Sequence, residues 1–403
     1  MARTLAPGSG SFVALIAAFM TMTAMAIDIN LPAVPAITAT LGTSLTLAQL
    51  TVTAFFVGFA FGQAAWGPLS DAYGRRPALL IGCGVYVAAT VGCALIPGIG
   101  TLLAMRVLEG FGAGSGPVVG RAIIRDLFQG PAMARVMSLC MAAFITAPII
   151  APSVGALLLL VTGWRGIFAF LTVYGLVLLL LAATMLEESL KRPDKSALHL
   201  GRLVRTLAAI FRDPASRRPA LVAVLVYGTL NVYLANASAI FMDARGLSPQ
   251  QFGLVFAAIA VFSAAGSLAN SRLVRSLSLP RIVLGALVAG VAIAVAAIGT
   301  VAAGSGTTPV LIAAFGGFFV CFALAAANSM TLALAPHGRA VGAAAAALGF
   351  AQAVVPAGIG SAVAALYDGT PRPALLTTLV LFLLGAAVFG VGRAPVPAAV
   401  TSR

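Results

Sequence analysis

Three ionisable side chains stand inside long apolar runs of this chain: Asp28, Arg106 and Glu109. A charge at the centre of a membrane-spanning helix costs about 2.5–3.5 kcal/mol on insertion scales, so each needs a reason to be there. Asp28 lies near the end of the first run, in Ala26-Ile-Asp-Ile-Asn-Leu-Pro-Ala-Val-Pro35. Thr21 and Met25 share its face at helical spacing and make a mixed polar and soft apolar stripe suited to an amphipathic ligand. The plainer alternative is an interfacial carboxylate beside a proline, facing headgroup water. Arg106 and Glu109 are three residues apart, hence on one helix face. Two roles fit that spacing. One is a structural ion pair that lowers the cost of burial. The other is an arginine that sets the charge state of its acidic neighbour, because a nearby cation favours a carboxylate and a dry environment disfavours it. A carboxyl that alternates between those environments takes up and releases a proton, which is the chemistry of proton coupling.

A second constellation lies between apolar runs: Gly67-Pro-Leu-Ser-Asp-Ala-Tyr-Gly-Arg-Arg-Pro77. Gly67 and Gly74 permit close backbone approach and a tight reversal. Asp71 can cap or pair across to a neighbouring helix end, with Arg75 and Arg76 on the cytosolic side. Two arginines alone would make an ordinary positive-inside loop. A third motif is Ala147-Pro-Ile-Ile-Ala-Pro-Ser-Val-Gly155, where Pro148 and Pro152 remove two backbone donors. It predicts a bent or locally unwound helix whose small residues, Gly155 among them, pack tightly on a partner. The second half of the chain has no acid inside an apolar run. It offers Tyr227 and Asn231, one turn apart, with Asn328 and Gln352. Each of these either cross-links helices or lines a substrate cavity.

The elements that must position these residues are membrane helices. With 61% hydrophobic and 8% charged residues, the composition excludes a soluble globular protein, which carries about a quarter charged residues. Twelve apolar runs approach the ~20 residues that cross a bilayer. They cover 11–33, 46–69, 78–97, 101–123, 134–161 and 165–186, then 218–241, 250–271, 281–302, 309–335, 340–367 and 373–393. The first is read as a retained helix and not as a cleaved signal. The long polar stretch is 187–217, in which His199 to Phe211 can form an amphipathic surface helix. This divides the chain into a six-helix half (1–186), a linker (187–217) and a second half (218–403). The four cysteines all lie in apolar runs and are expected to be buried small hydrophobes.

The net charge of +14 reports orientation here, with no nucleic acid as partner. With the N-terminus inside, the cytosolic segments hold Arg3, Arg75, Arg76, Arg121, Arg125 and Arg135. The linker adds Lys191, Arg192, Lys195, Arg202, Arg205, Arg212, Arg217 and Arg218, and the rest are Arg272, Arg275, Arg281, Arg339, Arg393 and Arg403. Only Arg165, Arg245 and Arg372 fall on the other side. The asymmetry predicts that both termini are cytosolic. The halves also repeat: Gly266-Ser-Leu-Ala-Asn270 matches Gly67-Pro-Leu-Ser-Asp71 in spacing, and Arg275 stands where Arg76 does. No nucleophile–base pair, Walker sequence or metal-ligand cluster occurs, so neither ATP, metal nor another cofactor is implied.

The 67–77 segment resembles the loop between the second and third helices of major facilitator superfamily transporters. Further motifs resemble one subfamily, the bicyclomycin- and chloramphenicol-resistance exporters of the Bcr/CflA group. They are Arg106-Val-Leu-Glu-Gly-Phe-Gly with Val119-Gly-Arg-Ala-Ile-Ile-Arg-Asp-Leu-Phe128, and Asp28-Ile-Asn-Leu-Pro-Ala-Val-Pro35. Pro148-Ile-Ile-Ala-Pro-Ser-Val-Gly155 with Trp164-Arg-Gly-Ile-Phe168 and Gly246-Leu-Ser-Pro-Gln-Gln-Phe-Gly253 extend the match, as does Gly342 to Gln352.

The resemblance implies an all-α membrane protein with twelve helices in two pseudo-symmetric halves, and proton-driven efflux of small drugs or metabolites across the bacterial inner membrane. It also implies a gating role for Gly67, Asp71, Gly74, Arg75 and Arg76, and proton coupling through Asp28 and Arg106. Glu109 stands where the family usually has Gln, Asn30 where it has Tyr, and Leu334-Ala-Pro-His-Gly lacks a usual acid. The expected partners are a small-molecule substrate, protons and the bilayer, with the chain acting as a monomer and not as an enzyme. A proton-coupled importer or a passive facilitator of a small solute is the rival reading. A channel has no filter-like loop or ring of like charge to support it.

Overall fold

Backbone polar groups in hydrocarbon must be satisfied within the chain, which favours helices. The computed structural model describes residues 5–195 and 201–390, and these are helical with no strand among them. In the first half, α1 (Gly10–Asp28) continues through a 3-10 turn (Leu31–Ala33) into α2 (Val34–Leu41). Next come α3 (Leu45–Tyr73), α4 (Arg75–Leu95), α5 (Ile99–Ala113), α6 (Ser115–Leu127) and α7 (Gly130–Met185). After the linker helix α8 (Gly201–Arg212), the second half holds α9 (Pro214–Ser238), α10 (Pro249–Leu273), α11 (Leu279–Ala302), α12 (Thr308–Leu334), α13 (Val341–Ala365) and α14 (Arg372–Gly390). Helix starts are set by capping side chains that satisfy otherwise orphaned amides. Ser9 accepts from Phe12 N at 3.2 Å, Ser44 from Leu47 N at 3.2 Å, and Ser248 forms a capping box with Gln251.

Ten stretches are long and apolar enough to cross a membrane. Two further passes come from the same sequence logic. α5 and α6 are each too short alone but continue one another at Gly114. α7 has 56 residues, about 84 Å if straight, yet Gly163 takes φ 70° and ψ −177° and turns it back on itself. Before the turn, Cys140 reaches the Val13 carbonyl of α1, and after it Tyr174 donates to Ala18 O at 2.7 Å. Both limbs therefore run beside α1, which makes twelve passes. Of the two alternatives, bent or locally unwound, the unwinding does not occur at Pro148 and Pro152, where the backbone keeps helical angles. Proline's fixed φ is itself helical, and the break falls where a glycine can take a positive φ.

Within the first half, α3 and α5 meet through glycines four apart on each helix, Gly58 and Gly62 against Gly110 and Gly114. A Cβ at Gly58 would be built into the Val107 carbonyl, and one at Gly110 into that of Phe55. This small-residue seam brings backbones together where no hydrophobic effect drives them. Gly58→Ala is accordingly expected to destabilise the protein by about 1–3 kcal/mol through overpacking. Gly84→Ala, with open space at its Cβ, is the control. Thermal melting followed by fluorescence-detected size exclusion checks it, and equal melting of the two variants would refute the seam.

α8 is strongly amphipathic and docks on the second half. Leu203, Leu207, Ile210 and Phe211 pack against Val224 of α9 and Ala344, Ala347 and Leu348 of α13. His199 lies outside the described residues. The two halves meet along α3 with α13, α7 with α10, and α9 with the Leu31–Ala33 turn. Their hydrogen bonds gather at the end that carries Arg165, Arg245 and Arg372. Gln49 Nε2 donates to Ala235 O at 3.0 Å, Thr53 and Ser361 hydroxyls meet at 2.5 Å, and Gln250 Nε2 donates to Ala156 O at 3.3 Å. Towards the other, cation-rich end, the main packing partners of α6 are first-half helices, while the Phe61 and Phe350 rings still meet across the halves with centroids 5.5 Å apart. The hydrogen bonds between the halves thus join them at one end.

Candidate functional site

α5 carries Arg106 and Glu109 one turn apart into the interior of the first half, where both are fully buried. Arg106 Nη1 donates to Glu109 Oε2 at 2.7 Å and to the Ala26 carbonyl of α1 at 3.2 Å. Its Nε donates to the Thr51 carbonyl of α3 at 3.2 Å. The guanidinium lies 4.6 Å over the Phe55 ring and 5.8 Å from that of Phe168. Arg106 therefore ties three helices together, and a buried ion pair needs such added bonds to offset its desolvation. The set is incomplete: Arg106 Nη2 and Glu109 Oε1 have no partner. The Cys93 thiol donates to Glu109 Oε2 at 3.7 Å, so that cysteine is a buried neighbour of the pair, as its apolar run suggested.

Asp28 ends α1, two residues beyond the carbonyl held by Arg106. It is 4% exposed and has no hydrogen bond or ion pair among the described residues. Its environment is the junction of the halves and not headgroup water. The hydroxyl-bearing ring of Tyr233, from α9, lies within its electrostatic reach. Tyr233 is itself boxed by Phe256, Phe315 and Phe319, with ring centroids 5.4, 5.1 and 5.1 Å away. The neighbouring Asn30 is fully buried with both amide atoms unpartnered. Gly155 explains how α7 approaches this point: a Cβ there would occupy the Ile29 carbonyl. Pro152 is buried beside it, Pro148 is half-buried, and Ser153 faces Gly253 of α10 across the junction.

The remaining cavity candidates separate. Thr21 is bound within the first half, to Ala18 O at 2.9 Å and the Tyr174 hydroxyl at 3.2 Å, while Met25 is half-buried. Asn231 Nδ2 donates to Tyr227 O at 3.3 Å. Asn328 Nδ2 donates to Asn270 Oδ1 at 2.7 Å, so it cross-links α12 to the second copy of the repeated loop motif. Gln352 is buried with its Nε2 unpartnered. Tyr227 is half-buried, its ring 5.2 Å from Phe322 of α12.

The 67–77 segment forms a compact charge cluster at the cation-rich end. Gly74 takes φ 107°, and a Cβ there would crowd Glu188. Arg75 is 4% exposed. It pairs with Asp71, donates to Ser70 Oγ at 2.8 Å, and reaches Asp126 Oδ2 of α6 at 2.8 Å. Glu188 accepts from the Arg75 and Arg76 amides at 2.9 and 3.0 Å, a carboxylate on the positive end of α4. Arg76 Nη2 donates to Ala183 O at 2.6 Å. Asp71 thus pairs inside its own half. Sequence reasoning missed Asp126 and Glu188 as partners because they lie 51 and 113 residues from Arg75, with no local spacing to signal them. It also counted Arg121 only as an orienting charge, whereas that side chain is exposed near Tyr227 of the opposite half.

Two helical halves with twelve passes between them define a polytopic membrane protein. The family model described as Major Facilitator Superfamily matches residues 14–230. A Bacillus subtilis protein described as an uncharacterized MFS-type transporter, YdgK, is 32% identical over 89% of this chain and 88% of its own. A Haemophilus influenzae bicyclomycin resistance protein homolog is 28% identical over 87% and 88%. A Pseudomonas aeruginosa chloramphenicol resistance protein is 30% identical over 69% and 66%. Among solved structures, a bacterial homolog of the human lysosomal transporter Spinster superposes with a TM-score of 0.74 at 16% identity, over 96% of this chain and 97% of that one. The human transporter MFSD10 superposes with 0.70 at 20%, over 95% and 100%. This chain belongs to the Major Facilitator Superfamily.

Proposed function

We propose that this protein exports small amphipathic drugs or metabolites across the bacterial inner membrane in exchange for protons, by alternating access between its halves. The observation that carries the reading is Asp28, an unpaired carboxylate at the junction of the halves, two residues from a backbone carbonyl held by the buried Arg106. Asp28 is the proposed proton carrier, and Arg106 with Glu109 the rigid support behind it. The relatives named for bicyclomycin and chloramphenicol resistance favour efflux as the direction. The Lys/Arg asymmetry supports cytosolic termini. In that orientation the hydrogen-bonded end faces away from the cytosol, which is what the inward-facing member of an alternating pair requires. The halves are taken as 1–186 and 218–403 joined by 187–217, and the working unit as one chain. The 67–77 cluster biases the switch between the two states, since a contact made in one state shifts the population towards it.

The test is growth of an efflux-deficient bacterial strain expressing the protein across a drug panel. Expression is expected to raise resistance to at least one amphipathic compound, and a protonophore to remove that protection. ATP depletion with the proton gradient maintained should leave it intact. Resistance that survives the protonophore would overturn proton coupling, and increased drug accumulation would reverse the direction to import.

A further inference from the structure

We infer that Arg121 is a substrate-recognising cation of the central cavity, selecting amphipathic molecules that carry an anionic group. This rests on the proposed transport reading and names the chemistry of its substrate. Arg121 lies on α6 of the first half, exposed, yet close enough to interact with the Tyr227 hydroxyl of α9 in the second half. A side chain that faces the opposite half and remains accessible lines the space between them.

Among the described residues no ion pair holds the charge on Arg121. Of ten acidic residues in the chain, none pairs with it among the described residues. Asp71 and Asp126 are held by Arg75, Glu188 by the first amides of α4, and Asp213 by Ser216 and the start of α9. Glu109 sits in the first-half interior and Asp28 at the junction of the halves, with Asp243 and Asp368 near the end where the halves are hydrogen-bonded. Arg125, one turn nearer the cation-rich end on the same helix face, is also exposed. The two arginines make a graded positive field that draws an anion inwards.

Tyr227, the second-half residue within reach of the guanidinium, stands with its ring centroid 5.2 Å from that of Phe322 in an edge-on arrangement. A planar fork with five donors facing an aromatic wall matches a carboxylate or sulfonate attached to an apolar ring.

The experiment uses the full chain in zwitterionic phosphatidylcholine nanodiscs, with protein-free discs subtracted. Equilibrium dialysis compares radiolabelled 1-naphthoate with its neutral carboxamide, which share an aromatic body and differ in charge. Wild type is expected to bind the anion at least about tenfold tighter than the amide. Arg121→Gln should remove that preference while leaving amide binding unchanged, and Arg121→Lys should retain most of it. Equal binding of the two probes by wild type, or an undiminished preference in Arg121→Gln, overturns the inference. Loss of amide binding together with anion binding in Arg121→Gln also overturns it, because the residue would then support the cavity and not recognise charge. Dialysis needs no gradient, so an Arg121-dependent preference in a protein that protects against no drug would sink the efflux reading and leave this one standing.

Discussion

Asp28→Asn is expected to abolish gradient-driven transport and leave substrate binding within about threefold of wild type, under about 0.7 kcal/mol. The amide preserves the size and hydrogen-bonding reach of the carboxylate but cannot take up or release a proton. Among the described residues Asp28 has no ion pair whose loss would confound the result, and it is buried at the end of α1. Proton release on adding substrate to purified, detergent-solubilised protein is the direct measurement. Wild type should release protons and Asp28→Asn should not. Passive exchange of substrate down its own gradient should persist in the variant, which separates a coupling defect from a folding one.

The second large effect concerns the buried pair. Arg106→Ala would strand the Glu109 carboxylate in the interior and remove the bonds to the Ala26 and Thr51 carbonyls. Breaking one side of a buried pair costs about 3–5 kcal/mol, so folded yield should collapse. Arg106→Met combined with Glu109→Met should recover much of the stability, because apolar groups of similar volume replace a costly pair. It should not recover transport if Arg106 supports the Asp28 helix end. Glu109→Gln is the discriminating variant. Its amide oxygen can accept the same bond from Arg106, and the guanidinium keeps two carbonyls and the Phe55 face. It is expected to stay folded and active and to release protons normally. Should Glu109→Gln be silent while Asp28→Asn releases protons, the pair is the proton site and the assignment to Asp28 is reversed.

Much of this was legible in the chain itself, for physical reasons. A bilayer leaves the backbone few options, so apolar runs of the right length mark helices, and the twelve runs correspond to the passes seen. The buried charges were legible because they are rare in such runs. Arg106 and Glu109 were paired correctly from a spacing of three, since helical geometry makes that neighbourhood local. The α3–α5 seam was equally local in signal, glycines four apart on both helices, but its partner helix could not be read from one helix alone. At Pro148 and Pro152 α7 keeps helical angles, whereas at Gly163, in the gap between the runs 134–161 and 165–186, it turns back.

Composition and periodicity determined the fold class, the number of passes and the positions of the few charges, because those follow from local hydrogen bonding and the cost of burying polar groups. The Lys/Arg asymmetry set the expected orientation for the same reason. Only the tertiary structure decided which distant residues meet. It brought Asp28 within reach of Tyr233, joined Arg75 to Asp126 and Glu188, tied Asn328 to Asn270 and brought Arg121 near Tyr227. Such contacts depend on how whole helices rotate and cross, and a side chain's spacing along its own helix carries no record of what packs against its face.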